Sequence, residues 1–154
     1  KIILPGYIQT LMLILDCAIP QGFGQGVEST KSNRATTQMK IKIGSSTFIA
    51  TLDENPTATA FKATLPLTVE MQELNGNEKL YRLPDTLPTK ASNPRTIKNG
   101  DLMIYGANTV VLFYKSFPTS YSYTRLGRIN EPAGLASAVG SGNVTVTFEL
   151  AGKP

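Results

Sequence analysis

The side chains able to do chemistry in this chain are constrained first by an absence. Its 154 residues contain no histidine and one cysteine. That excludes a serine-histidine-aspartate triad, a cysteine-histidine pair, a zinc finger and an intramolecular disulfide. No loop of alternating aspartates offers a calcium site, so neither a metal nor a cofactor is expected. What remains is a set of cationic and aromatic groups. Arg82 carries a fixed fork of donors suited to a peptide carbonyl or an anionic ligand. The alternative for an arginine on a strand is solvation, or pairing with a neighbour such as Glu70 or Glu78. Tyr114, Phe117, Tyr121 and Tyr123 concentrate aromatic surface within ten positions. Such a cluster lines a groove for a peptide or small molecule, or, because strands bury alternate residues, forms part of a core.

Other motifs carry less. Ser116, Ser120 and Ser122 have no histidine base, and only adjacency makes Lys115 a serine-lysine partner. Asn143-Val144-Thr145 has the spacing of a glycosylation acceptor but opens a strand, and is read as chance. Gly22, Gly24 and Gly26 lack the preceding strand and following helix of a phosphate-cradling loop. The net charge of +4 is spread thinly and is read as a solubility charge, so no nucleic-acid partner is expected.

The elements that must position the candidate groups begin after an unusual N-terminus. Residues 2–19 are mostly apolar, with Lys1 before them and a Gly/Gln stretch after, in the manner of a secretory signal. Pro5, Gly6, Gln9 and Asp16 interrupt the segment, and its unbroken run, residues 11–15, falls far short of the roughly 20 residues of a spanning helix. Residues 1–26 are therefore expected to be a signal peptide or its remnant. Processing would place the protein in the periplasm or cell envelope, and its absence in the cytoplasm. Cys17 compares with the cysteine of a bacterial lipobox, but Asp16 stands where that pattern takes a small residue. Residues 27–38 read as a polar linker, 39–150 as the folded domain and 151–154 as a tail.

Within the domain, Met39-Lys40-Ile41-Lys42-Ile43 alternates like a half-buried strand, and Gly44-Ser45-Ser46 turns it into a second strand over residues 47–52. Asn55 caps a helix beginning at Pro56, with Ala58, Ala60, Phe61 and Leu65 as its apolar stripe and Pro66 as its stop. Residues 67–72 and 79–83 form a hairpin about Asn75-Gly76, a strong turn signal. Residues 84–95 hold three prolines and read as a long surface loop of the kind that carries function. Strands follow at 101–105 and 109–114, the latter expected to be the most buried, then a strand at 125–129, a short helix over 132–139 ended by Gly140, and a closing strand at 143–150. The expectation is an all-β fold, a closed β-barrel of about eight strands with two short helices.

The run Gly100-Asp101-Leu102-Met103-Ile104-Tyr105, followed by Leu112-Phe113-Tyr114 and Leu126-Gly127-Arg128-Ile129, resembles the cyclophilin-like families of bacterial proteins. Leu74-Asn75-Gly76-Asn77-Glu78-Lys79, Leu83-Pro84 and Thr119-Ser120-Tyr121-Ser122-Tyr123 are similar to the second bacterial group in particular. The resemblance implies a cyclophilin-like barrel over residues 39–150. In true cyclophilins an arginine and an apolar proline pocket, rimmed by histidine and tryptophan, lower the barrier to prolyl rotation without covalent chemistry. Here Tyr81-Arg82-Leu83 resembles the arginine-bearing motif, Phe113 falls near a pocket aromatic, Tyr123 stands where the histidine is expected, and tryptophan is missing.

The candidate groove is Arg82, Met103, Tyr105, Phe113, Phe117, Tyr121 and Tyr123, with no catalytic residue assigned. The expected function is a binding domain for a peptide or small-molecule ligand. The alternatives are a weak peptidyl-prolyl isomerase resting on Arg82, and an envelope-attached structural or interaction protein. The resemblance also hints at a flavodoxin-like partner.

Overall fold

Period-two alternation, repeated along the chain, builds a barrel with a filled interior. The computed structural model describes residues 36–152. The expectations for the apolar segment, for Cys17 and for residues 27–35 of the linker lie outside the described residues. In β1 (Gln38–Ile43), Met39, Ile41 and Ile43 are buried while the intervening lysines face outward. β1 pairs antiparallel with β2 (Ser46–Leu52). Thr37, still in the expected linker, accepts a hydrogen bond from the Leu52 amide, so order begins before Met39.

α1 (Pro56–Lys62) starts where the sequence places it: the Asn55 side chain accepts from the Ala58 amide at 2.7 Å, and proline stands in the first turn. Its Phe61 is fully buried and meets Phe148 edge to face at 5.8 Å. β3 (Leu67–Leu74) and β4 (Glu78–Arg82) form the hairpin about Asn75 and Gly76, with φ of 57° and 66°. Both central residues of that turn need positive φ, which asparagine tolerates and glycine adopts freely.

β6 (Asp101–Tyr105), β7 (Thr109–Phe113), β9 (Thr124–Ile129) and β10 (Val144–Leu150) complete a closed barrel in the order β1-β10-β3-β4-β7-β6-β9-β2. α2 (Leu135–Val139) is shorter than expected and ends at Gly140, and it contributes Leu135 and Val139 to the core. Gly127 is required where β9 meets β2, because a Cβ there would collide with the Thr51 carbonyl and lie 3.0 Å from the Leu52 Cα.

Two further strands, β5 (Thr96–Ile97) and β8 (Phe117–Pro118), pair with each other outside the barrel. They explain why β6 and β7 are buried on both faces. Leu102, Ile104, Val110 and Leu112 face the barrel interior, while Met103, Val111 and Phe113 pack outward against Ile97, Tyr123 and Phe117 in a second, smaller core. The 84–95 loop braces this layer: Ser92 exchanges backbone hydrogen bonds with Tyr123, and the Asn93 side chain donates to the Ser120 carbonyl at 3.0 Å.

Candidate functional site

An eight-stranded barrel can be filled by its own side chains, and this one is, by a continuous buried core, so the open surface for a ligand lies outside it. The outer faces of β3, β4, β7 and β6 form the floor of an open cavity of about 860 Å³, and the segment from Phe117 to Tyr123 forms its wall. Register fixes the order of the floor. Glu78 lies opposite Phe113, Leu80 opposite Val111 and Arg82 opposite Thr109 across β4 and β7, and Tyr105 lies opposite Thr109 on β6. Gln72 of β3 pairs with Leu80 on the other side. The groove thus runs along β4 from Glu78 to Arg82, four residues apart, which is about 13 Å of strand.

Five of the seven expected residues line this cavity: Arg82, Tyr105, Phe117, Tyr121 and Tyr123. Met103 and Phe113 are corrected. Both are fully buried, because the β5–β8 ribbon covers them, and they support the groove from beneath instead of lining it. The aromatic residues form one connected array: Phe113 touches Phe117 and Tyr123 at 5.7 and 5.5 Å between ring centroids, and Tyr105 touches Tyr123 and Tyr121 at 5.7 and 6.2 Å. Tyr121, 62% exposed, is the accessible end of that array, whereas Tyr123 is 6% exposed. Burial pushes the Tyr123 phenol above its ordinary range, with the Glu78 charge adding to the rise. Tyr114, grouped with them in the sequence, faces the barrel interior, so the aromatic cluster divides between groove and core.

Arg82 is exposed, and its side chain makes no hydrogen bond or ion pair among the described residues. The expected pairing with Glu70 or Glu78 is not formed. Glu70 accepts instead from the Asn143 side chain at 3.2 Å. The serine-lysine pairing is also not assembled: the Ser116 hydroxyl accepts from the Asn99 amide at 2.9 Å, and the Lys115 ammonium lies 5.9 Å from the centre of the Tyr114 ring.

Sequence reasoning gave no site role to two acidic positions, Glu73 and Glu78. Glu73, on the interior face, receives Lys79 at 2.5 Å and the Tyr114 hydroxyl at 2.9 Å, while Lys79 also donates to the Gly140 and Gly142 carbonyls at 2.8 and 2.6 Å. Burial raises the Glu73 pKa, but the hydrogen bonds from Lys79, Tyr114 and the Gly76 amide outweigh it and hold the carboxyl below its usual range. Tyr114 is pushed up to about 12 by burial and by its bond to Glu73. This network is complete and internal.

Glu78 is the opposite case. It lines the groove at 9% exposure, with no hydrogen bond or ion pair to its carboxyl among the described residues. Burial, and secondarily the Glu73 charge, pushes its pKa up. The signal was present in the alternation of β4, which puts Glu78, Leu80 and Arg82 on one face, but only the covering wall makes that position buried.

A closed antiparallel barrel with an external groove walled by a short ribbon defines the class of protein. Residues 41–149 match the cyclophilin-like family, and the chain belongs to that family. No curated protein matches the chain. Among solved structures it is similar to the solution structure of a hypothetical protein from Archaeoglobus fulgidus, at 19% identity and a TM-score of 0.53, over 75% of this chain and 95% of that one. That likeness concerns the fold.

Proposed function

We propose that the domain is a ligand-binding module whose groove on the outer face of the barrel accepts a short peptide or small molecule. The observation that supports this reading is the groove itself: an open cavity of about 860 Å³ with Leu80 and Val111 in its floor and Phe117, Tyr121 and Tyr123 in its wall. Binding sites of this size combine apolar surface with a few placed polar groups, and Arg82 and Glu78 supply those at its two ends. The wall is prefolded, held by Ser92, Asn93 and the second core, so little ordering cost opposes binding.

A second reading, a weak prolyl isomerase, is favoured by one feature. Arg82 presents an unpaired guanidinium beside an apolar floor, an arrangement able to hold a peptide carbonyl while its imide twists. One experiment separates the two. The full chain, labelled with ¹⁵N, is titrated with a short Ala-Pro peptide while cis/trans exchange of the peptide is followed by NMR. Binding without catalysis shifts the amides of Tyr105, Val111 and Tyr121 and leaves exchange at the spontaneous rate. Accelerated exchange that Arg82→Ala abolishes establishes the isomerase. Absence of any shift in the groove, with this peptide and with the aromatic probes described below, refutes the binding reading.

A further inference from the structure

Glu78 stands in the groove as a carboxylate without a counterion among the described residues. The nearest cation in sequence, Lys79, points to the other face of β4 and is saturated by Glu73 and two backbone carbonyls. Arg82 shares the Glu78 face but stands two side-chain rows away, about 13 Å along the strand. The charges the fold brings near Glu78 are of its own sign: Glu73, behind it on β3, raises its pKa, and its own charge raises those of Tyr114 and Tyr123. A carboxylate largely withdrawn from water and left unpaired is destabilising, and among the described residues the fold supplies neither a donor nor a cation to offset it. What the fold does supply is an opening, since Glu78 faces the cavity, and aromatic rings close by, of which Tyr123 is near enough to feel its charge.

We propose that the groove binds a ligand bearing an ammonium group, with that group paired to the Glu78 carboxylate and its apolar stem lying on Leu80, Val111 and the Phe117–Tyr123 wall. The assignment rests on the ligand-binding reading above and adds its polarity. An ammonium group donates the charge-assisted hydrogen bonds that Glu78 lacks. A carboxylate or phosphate at this end would meet the Glu78 charge and be repelled, and a neutral apolar group would leave that charge unpaired. The α-ammonium of a free peptide and the ammonium of a small aromatic amine share this chemistry.

Three probes of one shape test it on the full chain by ¹H–¹⁵N NMR titration: phenethylamine, its N-acetyl derivative and 3-phenylpropionate. A fourth, the free dipeptide Phe-Ala, distinguishes a peptide N-terminus from a simple amine by which of the two binds more tightly. The expected result is that phenethylamine shifts the amides of Glu78, Leu80 and Val111, that the acetylated and anionic probes bind about tenfold more weakly or not at all, and that Glu78→Gln removes this preference. The thermal midpoint of the variant reports that it folds, and Glu131→Gln, exposed and outside the groove, retains the preference. Equal binding of amine and acetylated probe in the groove overturns the ammonium assignment while leaving the binding reading intact. Preference for the amine that survives Glu78→Gln overturns it as well. No groove shift with any probe overturns both.

Discussion

Glu78→Gln is expected to make the protein more stable at neutral pH. The wild-type carboxyl is 9% exposed and has no partner for its charge among the described residues. Its pKa in the fold is raised, by burial first and by the Glu73 charge second. The sign follows from linkage: a carboxyl that holds its proton more tightly in the folded state contributes its stability below the unfolded pKa, and that contribution is lost as pH rises through the folded pKa. The groups electrostatically coupled to Glu78 are Glu73 and Tyr114 through the sheet and Tyr123 beside the groove, none of which supplies a positive charge to reverse this sense. Glutamine keeps the shape and carries no charge at any pH. A single substitution that relieves an unfavourable charge commonly returns about 0.5–2 kcal/mol. For the 117 described residues, 36–152, an unfolding entropy of about 0.25 kcal/mol/K makes 1 kcal/mol worth about 4 °C in Tm. The expected gain is therefore about 2–8 °C near pH 7.5, shrinking toward zero near pH 3.5, where glutamate is neutral in both states. Differential scanning calorimetry of both proteins across that range measures it. A variant less stable than wild type at pH 7.5 would refute the reasoning, because it would mean that the folded chain itself satisfies the carboxylate.

The interior network predicts the reverse behaviour. Lys79→Met leaves Glu73 and the Gly140 and Gly142 carbonyls without their buried donor and is expected to cost about 3–5 kcal/mol in chemical denaturation; a loss under 1 kcal/mol would show that the network contributes no specific stability. Because Glu73 is held below its usual range, its contribution is present above the unfolded pKa and is lost as pH falls. Glu73→Gln therefore flattens the acid limb of the stability profile, and an unchanged limb contradicts the assignment. Gly127→Ala places a methyl group against the Thr51 carbonyl and Leu52, and the forced shift of β2 is expected to cost about 1–3 kcal/mol by urea denaturation; a midpoint equal to that of wild type would mean β2 and β9 separate freely.

The barrel was legible because its signals are local and repeated. Alternation in β1 and β10, the Asn55 cap and the Asn75-Gly76 turn each follow from a few adjacent residues, and each occurs where those residues demand. The β5–β8 ribbon was not legible, since two-residue strands have no periodicity and their pairing joins Thr96 to Pro118 across the barrel strands between them. That one omission accounts for the misplacement of Met103 and Phe113. Without a ribbon their outward faces read as groove lining; with it they are core. It also hid Glu78, which on an uncovered sheet would be an ordinary solvated glutamate.

The same ribbon would tie the proposed binding to stability. A barrel of eight strands closes its own hydrogen bonding and fills its own interior, so nothing in it requires Ile97, Phe117 or Tyr123 on the outside. These residues, with Met103, Val111 and Phe113, form a separate apolar layer, and the 84–95 loop fastens that layer through a handful of hydrogen bonds. Its role is to stand a wall beside β4 and β7, and that wall takes Glu78 out of bulk water and turns the outer sheet face into a cavity. Few contacts hold the wall and many hold the barrel, so opening of the wall costs less than unfolding. A ligand that supplies the missing cation would therefore stabilise the wall more than the barrel beneath it. Removing the Glu78 charge is expected to stabilise the empty domain for the same reason that it would abolish this response.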